Sequence, residues 1–427
     1  MIVLFDKIED RLDDELQRKV AAFIADHADD IFEFTCALIR TPSVNPPGDE
    51  VAVSKVVMDR LAQLGIEDCS IAACLPERPN VMAHVAGTSP GPTLMLSGHL
   101  DTKPAGNMDE WETDPWVPMV VGDQLVGLGS GDMKASIAAM VYAAAALRHL
   151  GEFPGKLSLA LTADEENGSQ YGSKWLAAEG YLEADVCVIG EPAGVHEEWE
   201  SIHLVSRGAA LFKVVVLGTQ MHSSISDQLP AVNATLKMAE LALKMQRELR
   251  GYLTFDDHEY CRLGPTVNVG VTAEAGVTYG VFPGRAEFGV DVRTIPGMTE
   301  EQVQADVQRF LDDAVASDPE LDAELEWNLM VGATEIDASN PIVQSLADAS
   351  QIVLGHTPRL DAFPGATDAA YIQIVAGVPC IASFGPGFLP RAHSPNESMH
   401  KDGAAEAAMI YALSALDYLN TQTANTP

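Results

Sequence analysis

The sequence predicts an α/β fold in which a mostly parallel sheet is flanked by helices and an inserted α+β module interrupts the chain. Three apolar segments, at 92–101, 156–166 and 185–192, predict buried strands that end in polar residues. Segments at 133–150 and 172–182 predict helices between these strands. Alternation of strands and helices is typical of a parallel sheet covered on both faces.

The flanking segments extend this pattern. Residues 8–40 place apolar groups at helical spacing among acidic ones and predict one or two amphipathic helices, and residues 51–64 predict another. Near the C-terminus, PIVQSLADASQIVLG and DGAAEAAMIYALSALDYLN predict helices on either side of a strand in PCIASFGPG. The last residues, TQTANTP, predict a loose tail.

A change of pattern near residue 206 predicts the inserted module. From there the chain favours, in order, a strand at 208–218, a helix around 230–250, strands in TVNVGVTAEA and GRAEFGVDVRT, a helix at about 299–316 and a strand at 324–330. This order is typical of a small α+β domain with an antiparallel sheet. We therefore expect a first part of the main domain at 1–205, the inserted domain at 206–331 and the second part at 332–427.

Composition limits the partners of the protein. The 427 residues carry a net charge of −36, which argues against binding to nucleic acid or to an anionic membrane surface. No apolar run reaches the roughly 18 residues of a membrane span. The N-terminus turns acidic after five residues and lacks the pattern of a signal peptide. Six scattered cysteines without a CxxC pair are typical of reduced thiols in a cytoplasmic enzyme.

Candidate metal ligands follow the predicted strands. Open α/β sheets place their ligand sites at the carboxyl ends of strands, so we expect side chains at these positions to converge. Adjacent glutamates after a strand also allow one to bind a metal while the other transfers protons. The candidates are His99 and Asp101 in GHLD, Asp132 in GSGDMK, Glu165 and Glu166 in TADEEN, Glu191 in GEP and His393 in RAHSPNE.

Each candidate also has a structural interpretation. His99 can be a buried, hydrogen-bonded histidine, with Asp101 in a loop. Asp132 precedes the Ala-rich helix and suits an N-cap. The acids of TADEEN can be solvated loop residues, and an isolated loop histidine such as His393 usually has no function. Taken singly, these residues leave both interpretations open.

Together the motifs resemble those of the M20 metallopeptidase family, which includes acetylornithine deacetylase, succinyl-diaminopimelate desuccinylase, aminoacylase-1 and carboxypeptidase G. They occur in family order between about residues 95 and 400. The matching segments are SGHLDTKPAG, GSGDMKAS, TADEENGSQYGS, IGEPAG, GTQMHSS, VDVRTIPGM, GATDAAY and AHSPNE.

The resemblance implies a site for two divalent metal ions. His99 and Glu191 would bind one ion. Glu166 and His393 would bind the other, and Asp132 would bridge the two. These nitrogen and oxygen donors suit zinc and also accept manganese or cobalt, and one ion alone can occupy such a site.

The resemblance also implies roles around the metals. Asp101 would orient the first histidine, and Glu165 would be the general base and acid. His222, from the inserted domain and often from the partner subunit in this family, would stabilise the oxyanion. Arg293 would hold a substrate carboxylate. The alternatives are an ordinary surface histidine at His222 and a structural salt bridge between Arg293 and Asp291.

The implied reaction is hydrolysis of a C–N bond in a small carboxylate-bearing substrate, such as an N-acyl amino acid or a short peptide. Relatives commonly have Asn before the V-I-P of the inserted domain, where this chain has Gly280 after Tyr279 in TYGVFPG. We hypothesise that Tyr279 favours a flatter or more apolar substrate. An aminohydrolase that releases ammonia from an aromatic amine, such as a nitro-substituted aminobenzoate, and a non-catalytic binding protein are the alternatives. The resemblance further implies a homodimer through the inserted domain, or an assembly of such dimers.

Overall fold

The computed structural model describes residues 8–12 and 14–424, and it divides into two compact units. Unit 1 runs to Val205 and continues in Glu335–Phe363 and from Thr367 onward. Unit 2 comprises Ser206–Thr334 and Pro364–Ala366. The first seven residues of the chain, to which the expectation about a signal peptide applies, lie outside the described residues, as do the last three of the predicted tail.

The longer helices follow the predicted segments closely. Residues 8–40 contain two helices rather than one. The helices are α1 (Glu15–Asp26), α2 (Ala28–Ile39), α3 (Val51–Gln63), α4 (Ala135–Leu150), α5 (Ser173–Ala178), α6 (Ala234–Tyr252), α7 (Glu300–Ser317), α8 (Pro341–Leu354) and α9 (Gly403–Ala424).

The strands of unit 1 include several short ones that the sequence did not predict. Those before the inserted unit are β1 (Cys69–Ala72), β2 (Asn80–Ala86), β3 (Ser89–His99), β4 (Met119–Val121), β5 (Gln124–Val126), β6 (Pro154–Thr162), β7 (Val186–Ile189), β8 (Pro192–Gly194) and β9 (Ser201–Ser206). Unit 2 contributes β10 (Gly208–Leu217), β11 (Met221–His222), β12 (Thr266–Ala275), β13 (Val281–Phe282), β14 (Arg285–Thr294) and β15 (Asp322–Val331). The remaining strands are β16 (Thr334–Glu335), β17 (Arg359–Phe363), β18 (Cys380–Ile381), β19 (Gly385–Phe388) and β20 (Ser398–His400).

The main sheet of unit 1 confirms the predicted α/β class. Its six strands lie in the order β1-β2-β6-β3-β7-β18. The four strands from β6 to β18 are parallel to one another, whereas β1 and β2 join antiparallel at one edge. Strands β6, β3 and β7 are buried over most of their length, which explains their continuous apolar sequences.

Small side chains allow the central helix of unit 1 to pack on all sides. Helix α4 is buried from Ala135 to Leu147, and it packs against α9, β3 and β6. A helix that is apolar around its whole circumference is expected in a protein core. Helix α9 also contacts α8 and α1.

The predicted loose tail is wrong for its first four residues. Helix α9 continues to Ala424, so TQTA belongs to the helix. Nothing in LNTQTA interrupts backbone hydrogen bonding, because the segment has neither Gly nor Pro. No helix within residues 8–12 and 14–424 is long and apolar enough to cross a membrane.

Unit 2 contains the predicted antiparallel sheet. Its four strands lie in the order β12-β14-β10-β15, and every neighbouring pair is antiparallel. Helices α6 and α7 pack against each other and against this sheet. A separate two-stranded ribbon pairs β11 with β13 and places His222 opposite Val281.

Candidate metal centre

Four predicted site residues lie at the carboxyl ends of three parallel strands in unit 1. His99 is the last residue of β3. Glu165 and Glu166 begin a short 3-10 turn just after β6. Glu191 follows β7 by two residues. Because β6, β3 and β7 are adjacent and parallel, these side chains emerge at one edge of the sheet.

His99 lies among carboxylates. Its Nε2 atom is 2.9 Å from Oδ1 of Asp132 and 3.4 Å from Oε1 of Glu191. The imidazole is 1% exposed, and the two acids are nearly as buried. One nitrogen of His99 therefore faces two carboxylates, as expected for a ligand that shares a cation with them.

His393 faces the other side of Asp132. Its Nε2 atom is 3.1 Å from Oδ2 of Asp132 and 3.0 Å from Oε2 of Glu166. The two oxygens of Asp132 thus contact different histidines. The structure brings all five predicted ligands into one cluster of two halves joined by Asp132.

Asp132 is not a helix cap. Helix α4 begins at Ala135, and its N-cap residue is Lys134. The N-cap interpretation of Asp132 is therefore wrong. Its backbone is also non-helical, with φ −123° and ψ 89°.

Asp101 connects His99 to the turn that carries the two glutamates. The Nδ1 atom of His99 is 3.0 Å from the backbone oxygen of Asp101 and 3.5 Å from its Oδ1 atom. The carboxylate of Asp101 accepts hydrogen bonds from the amides of Glu165 and Glu166, both at 3.2 Å. A carboxylate in this position orients a histidine ring and also restrains the turn.

Glu165 is partly buried beside the first half of the cluster. A carboxylate oxygen of Glu165 lies within 4.8 Å of a ring nitrogen of His99 and an oxygen of Glu191. Burial, followed by the charge of Glu191, raises the pKa of Glu165 well above its usual value. A carboxyl group with a raised pKa binds a proton more readily than an ordinary glutamate, which favours a group that must both accept and donate one.

The charge balance of the cluster favours a bound cation. Burial disfavours the charged form of His99, but the surrounding carboxylates outweigh it and raise the pKa of this histidine. Burial likewise opposes protonation of His393, yet Asp132 and Glu166 raise its pKa to about 10. The cluster contains more buried carboxylates than histidines, and buried negative charges must be compensated by positive charge. Its imidazole and carboxylate donors suit zinc or manganese. The residues present therefore fit a divalent metal site.

Two residues that the sequence analysis did not single out support the cluster. Glu397 accepts hydrogen bonds at 3.0 Å from the amides of Gly129, Gly131 and Asp132. It therefore ties the loop of His393 to the loop of Asp132. The amide of Lys103 donates to Oε1 of Glu166 at 3.1 Å. Glu397 lies in the same motif as His393, AHSPNE, and this closeness in sequence could have identified it as a residue near the site.

In unit 2, His222 is exposed and has a defined hydrogen-bond pattern. The backbone N–H of Ser224 donates to Nδ1 of His222 at 3.2 Å, and the Ser224 hydroxyl lies 2.8 Å from the same atom. Because Nδ1 accepts a hydrogen bond, the proton of the neutral ring resides on Nε2. His222 thus presents an N–H donor at the surface of unit 2.

The other predicted residues of unit 2 differ in their surroundings. Arg293 is paired with Asp291: its Nη2 atom donates to Oδ2 at 3.0 Å, and its Nε atom lies 2.9 Å from Oδ1. The predicted structural alternative for Arg293 is thus present. Tyr279 is fully exposed. Gly280, which follows it, has φ +83°, a conformation that Gly and Asn adopt readily.

Comparison of the sequence with known proteins identifies relatives over most of the chain. A sequence model of peptidase family M20/M25/M40 matches residues 95–417. A succinyl-diaminopimelate desuccinylase of Leptothrix cholodnii is 30% identical over 364 residues, which are 82% of this chain and 88% of that protein. The corresponding enzyme of Aromatoleum aromaticum is 30% identical over 394 residues, which are 89% and 94% of the two chains.

Solved structures share the fold. A metallo-carboxypeptidase of the M20 family from Sulfolobus solfataricus has a TM-score of 0.73 at 20% identity and covers 91% of this chain and 99% of its own. The dipeptidase Dug1p from Saccharomyces cerevisiae has a TM-score of 0.74 at 17% identity, with 95% and 98% covered. The family match and the desuccinylase relatives agree with the cluster in unit 1. The chain belongs to peptidase family M20/M25/M40 and is a hydrolase that acts on amide C–N bonds.

Proposed function

We propose that the cluster binds two divalent metal ions and that the protein hydrolyses the amide bond of a small N-acyl amino acid or short peptide. The observation that carries this proposal is the placement of Asp132, whose two oxygens contact His99 and His393 separately. His99 and Glu191 would hold one ion, and Glu166 and His393 the other. A carboxylate that binds through both oxygens is suited to bridge two ions a few ångströms apart.

The side chains around the cluster fit the steps of amide hydrolysis. Two divalent ions held there would polarise the substrate carbonyl and make the attacking water more acidic. Glu165 would take the proton of that water and deliver it to the leaving nitrogen, so that water is consumed and an acid and an amine are released. The raised pKa of Glu165 supports this double role.

His222 would stabilise the oxyanion of the tetrahedral intermediate. An oxyanion needs a hydrogen-bond donor, and the contacts with Ser224 leave the Nε2–H group of His222 available for that purpose. Arg293 would bind the substrate carboxylate. Its pairing with Asp291 holds the guanidinium in place but also competes for it. An R293M variant that loses stability but keeps the KM of the wild-type protein would exclude the carboxylate-binding role.

The relatives suggest where a substrate screen should begin. Their names describe removal of a succinyl group from diaminopimelate, so we propose an N-acyl amino acid with more than one carboxylate as the first candidate. The test incubates the metal-loaded protein with N-succinyl and N-acetyl amino acids, dipeptides and aminobenzoates and identifies the products by mass spectrometry. Release of a carboxylic acid and a free amine supports the proposal. Release of ammonia from an aminobenzoate would instead favour the aminohydrolase alternative.

The loop of Tyr279 and Gly280 provides a second, sharper test of substrate choice. A Cβ atom at Gly280 would meet nothing within 4 Å, and Asn tolerates its positive φ, so a G280N variant is expected to fold. We expect G280N to gain activity on aliphatic N-acyl amino acids relative to aromatic ones, and Y279A to lose activity on aromatic ones. Unchanged relative activity in both variants would contradict a role of this loop in specificity.

We propose that unit 2 forms a homodimer interface. Strand β12 is an exposed sheet edge with a single charged residue, Glu274, whereas the opposite edge strand β15 carries exposed Asp322, Glu324 and Glu326. Charges discourage pairing at an exposed edge. Helix α6, which packs on β12, exposes Leu236 and Leu243 one heptad apart, at 62% and 61%. Light scattering of the wild-type and L236E/L243E proteins tests this: a dimer that becomes monomeric supports it, and a monomeric wild type contradicts it.

A cytoplasmic location remains part of the proposal. Four of the six cysteines, Cys36, Cys187, Cys261 and Cys380, are buried, as is usual for reduced thiols in a cytoplasmic protein. Immunodetection of the protein in fractionated cells tests the location, and recovery outside the cytoplasmic fraction would contradict it.

A further inference from the structure

A buried chain of polar side chains lies behind Asp101 in unit 1. It consists of Glu50, Arg78, Asp164, Asn45 and Asp101, none of which is more than 4% exposed. No role in the proposed reaction has been assigned to the first four of these residues. Buried charges are costly unless they are paired, so such a group requires an explanation.

Hydrogen bonds connect the chain from end to end. Arg78 binds Glu50 through two bonds, from Nε to Oε2 at 2.7 Å and from Nη2 to Oε1 at 2.8 Å. The Nη2 atom of Arg78 also donates to Oδ1 of Asp164 at 2.9 Å. The amide nitrogen of Asn45 donates to Oδ1 of Asp164 at 2.9 Å and to Oδ2 of Asp101 at 2.8 Å. Arg78 therefore reaches Asp101 through two intervening side chains.

Asp164 transfers this restraint to the turn of the candidate general base. It immediately precedes Glu165 and has φ +66°, an uncommon conformation for a residue other than Gly. Its Oδ2 atom accepts a hydrogen bond from the amide of Tyr171 at 3.1 Å. Asp164 is thus held from both sides, by Arg78 and by the end of its own loop. The amides of Glu165 and Glu166 are held in turn by Asp101.

Gly48 and Tyr171 accommodate the guanidinium group of Arg78. A Cβ atom at Gly48 would lie 2.2 Å from Nη1 of Arg78, so only Gly at this position leaves room for the guanidinium. The ring of Tyr171 lies 5.3 Å from the guanidinium carbon, within the range of a cation–π contact. Lysine would keep the charge but could not span Glu50 and Asp164 with the same planar set of donors.

We propose that Arg78 is a positioning residue, which fixes the Glu165–Glu166 turn and Asp101 through Asp164 and Asn45. Arg78 touches none of the predicted metal ligands, so it acts only through other residues. The inference rests on the proposed metal site. It adds the residues behind that site which would keep Asp101 and the Glu165–Glu166 turn in position. Outer partners of metal ligands typically change metal affinity about 10- to 100-fold when they are removed.

The test compares R78M with a matched arginine variant of unit 1. Arg60 donates to Tyr142 at 2.7 Å and stacks on Phe34, and neither of these partners belongs to the polar chain described above. R60M therefore controls for loss of a packed arginine. Hydrogen–deuterium exchange of the peptide 163–172, without added metal, and titration with Co²⁺ are measured for the wild-type, R78M and R60M proteins.

We expect faster exchange at 163–172 and a Co²⁺ dissociation constant raised about 10- to 100-fold in R78M, with neither change in R60M. Unchanged exchange and unchanged Co²⁺ affinity in R78M would overturn the proposal. If the wild-type protein binds no Co²⁺, the proposed metal site fails, and the exchange result alone decides the role of Arg78. If R78M does not fold, R78K is used, for which faster exchange at 163–172 is again expected and wild-type exchange would overturn the proposal.

An E50Q/R78M variant separates positioning from charge neutralisation. It removes the buried ion pair as a unit, so its thermal stability should recover relative to R78M. Asp164 still lacks its donor in this variant, so we expect the Co²⁺ affinity to stay low. Recovery of wild-type Co²⁺ affinity in E50Q/R78M would show that Arg78 only neutralises Glu50 and would overturn the proposal.

Discussion

The candidate metal centre of unit 1 and the candidate substrate-binding residues of unit 2 differ in how firmly they are held. His99 and Asp132 are 1% and 6% exposed and contact each other at 2.9 Å. His222 and Tyr279, in contrast, are exposed at the surface of unit 2, and Tyr279 is fully so. The side chains of the candidate metal centre therefore hold one another in place without a ligand, whereas any contact of His222 and Tyr279 with a substrate would have to form when the substrate binds.

This difference predicts that variants fall into two groups. Changes in the unit 1 cluster should alter metal binding or proton transfer. Changes in unit 2 should alter catalysis or substrate choice while leaving metal binding intact. The following variants test this separation, in order of decreasing expected effect.

Replacement of the bridging carboxylate should have the largest effect. D132N loses one of the two charged oxygens that face His99 and His393. We expect turnover to fall by more than about 10³-fold, because two metal ions held by Asp132 would supply several kcal/mol of transition-state stabilisation. D348N, at an exposed acid of unit 1 that accepts a hydrogen bond from Gln344, is the matched control and should keep full activity. A D132N variant as active as D348N would contradict the assignment.

Replacement of the general base should reduce turnover without removing metal. E165Q keeps the shape of the side chain but cannot accept the proton of the attacking water, so we expect kcat to fall by about 10²- to 10⁴-fold. The metal content should equal that of the wild-type protein. Because Glu165 lies within 4.8 Å of atoms of His99 and Glu191, loss of a metal ion in E165Q would instead identify Glu165 as a ligand.

Replacement of His222 should test the role of unit 2 directly. H222A removes the surface N–H donor, and loss of one oxyanion donor typically lowers kcat by about 10²- to 10³-fold. Metal content and affinity should not change. An S224A variant, which keeps the amide donor to Nδ1 and removes only the hydroxyl, should have a much smaller effect. Loss of metal in H222A would break the distinction between the two units.

The smallest effect concerns acid stability of unit 1 rather than turnover at neutral pH. Burial lowers the pKa of His203 from 6.5 to about 4. The unfolded chain therefore takes up a proton below pH 6.5 that the folded protein does not. Stability is complete above pH 6.5 and falls as the pH drops towards 4, by at most about 3 kcal/mol. Denaturant unfolding at pH 7 and pH 4.5 should show a smaller acid-induced loss for H203N than for the exposed-site control H356N, and equal losses would refute this account.

Features that depend on residues close together in the sequence could be predicted, whereas contacts between residues far apart in the sequence could not. The strands β3, β6 and β7 and the residues that follow them were identifiable because a buried parallel strand is a continuous apolar segment and its ligands lie next to it in sequence. Strands β1 and β2 were not predicted. Strand β1 is only four residues long and partly exposed, and its pattern is too short to distinguish from a loop.

The supporting residues were beyond prediction because their partners are distant in sequence. Glu397 binds amides about 265 positions away, and Arg78 binds Asp164 86 positions away. No local spacing marks such pairs. Gly48 illustrates the same limit, since its need for space is apparent only once the Arg78 guanidinium is seen beside it.

The most direct test of the central claim is the number of metal ions that one chain binds. The protein is stripped with a chelator, equilibrated with Zn²⁺ or Mn²⁺ by dialysis and analysed for metal per chain, in the wild-type and D132N forms. A site bridged by Asp132 predicts two ions per wild-type chain and the loss of tight binding of both in D132N. One ion per wild-type chain that D132N retains with the same affinity would contradict it.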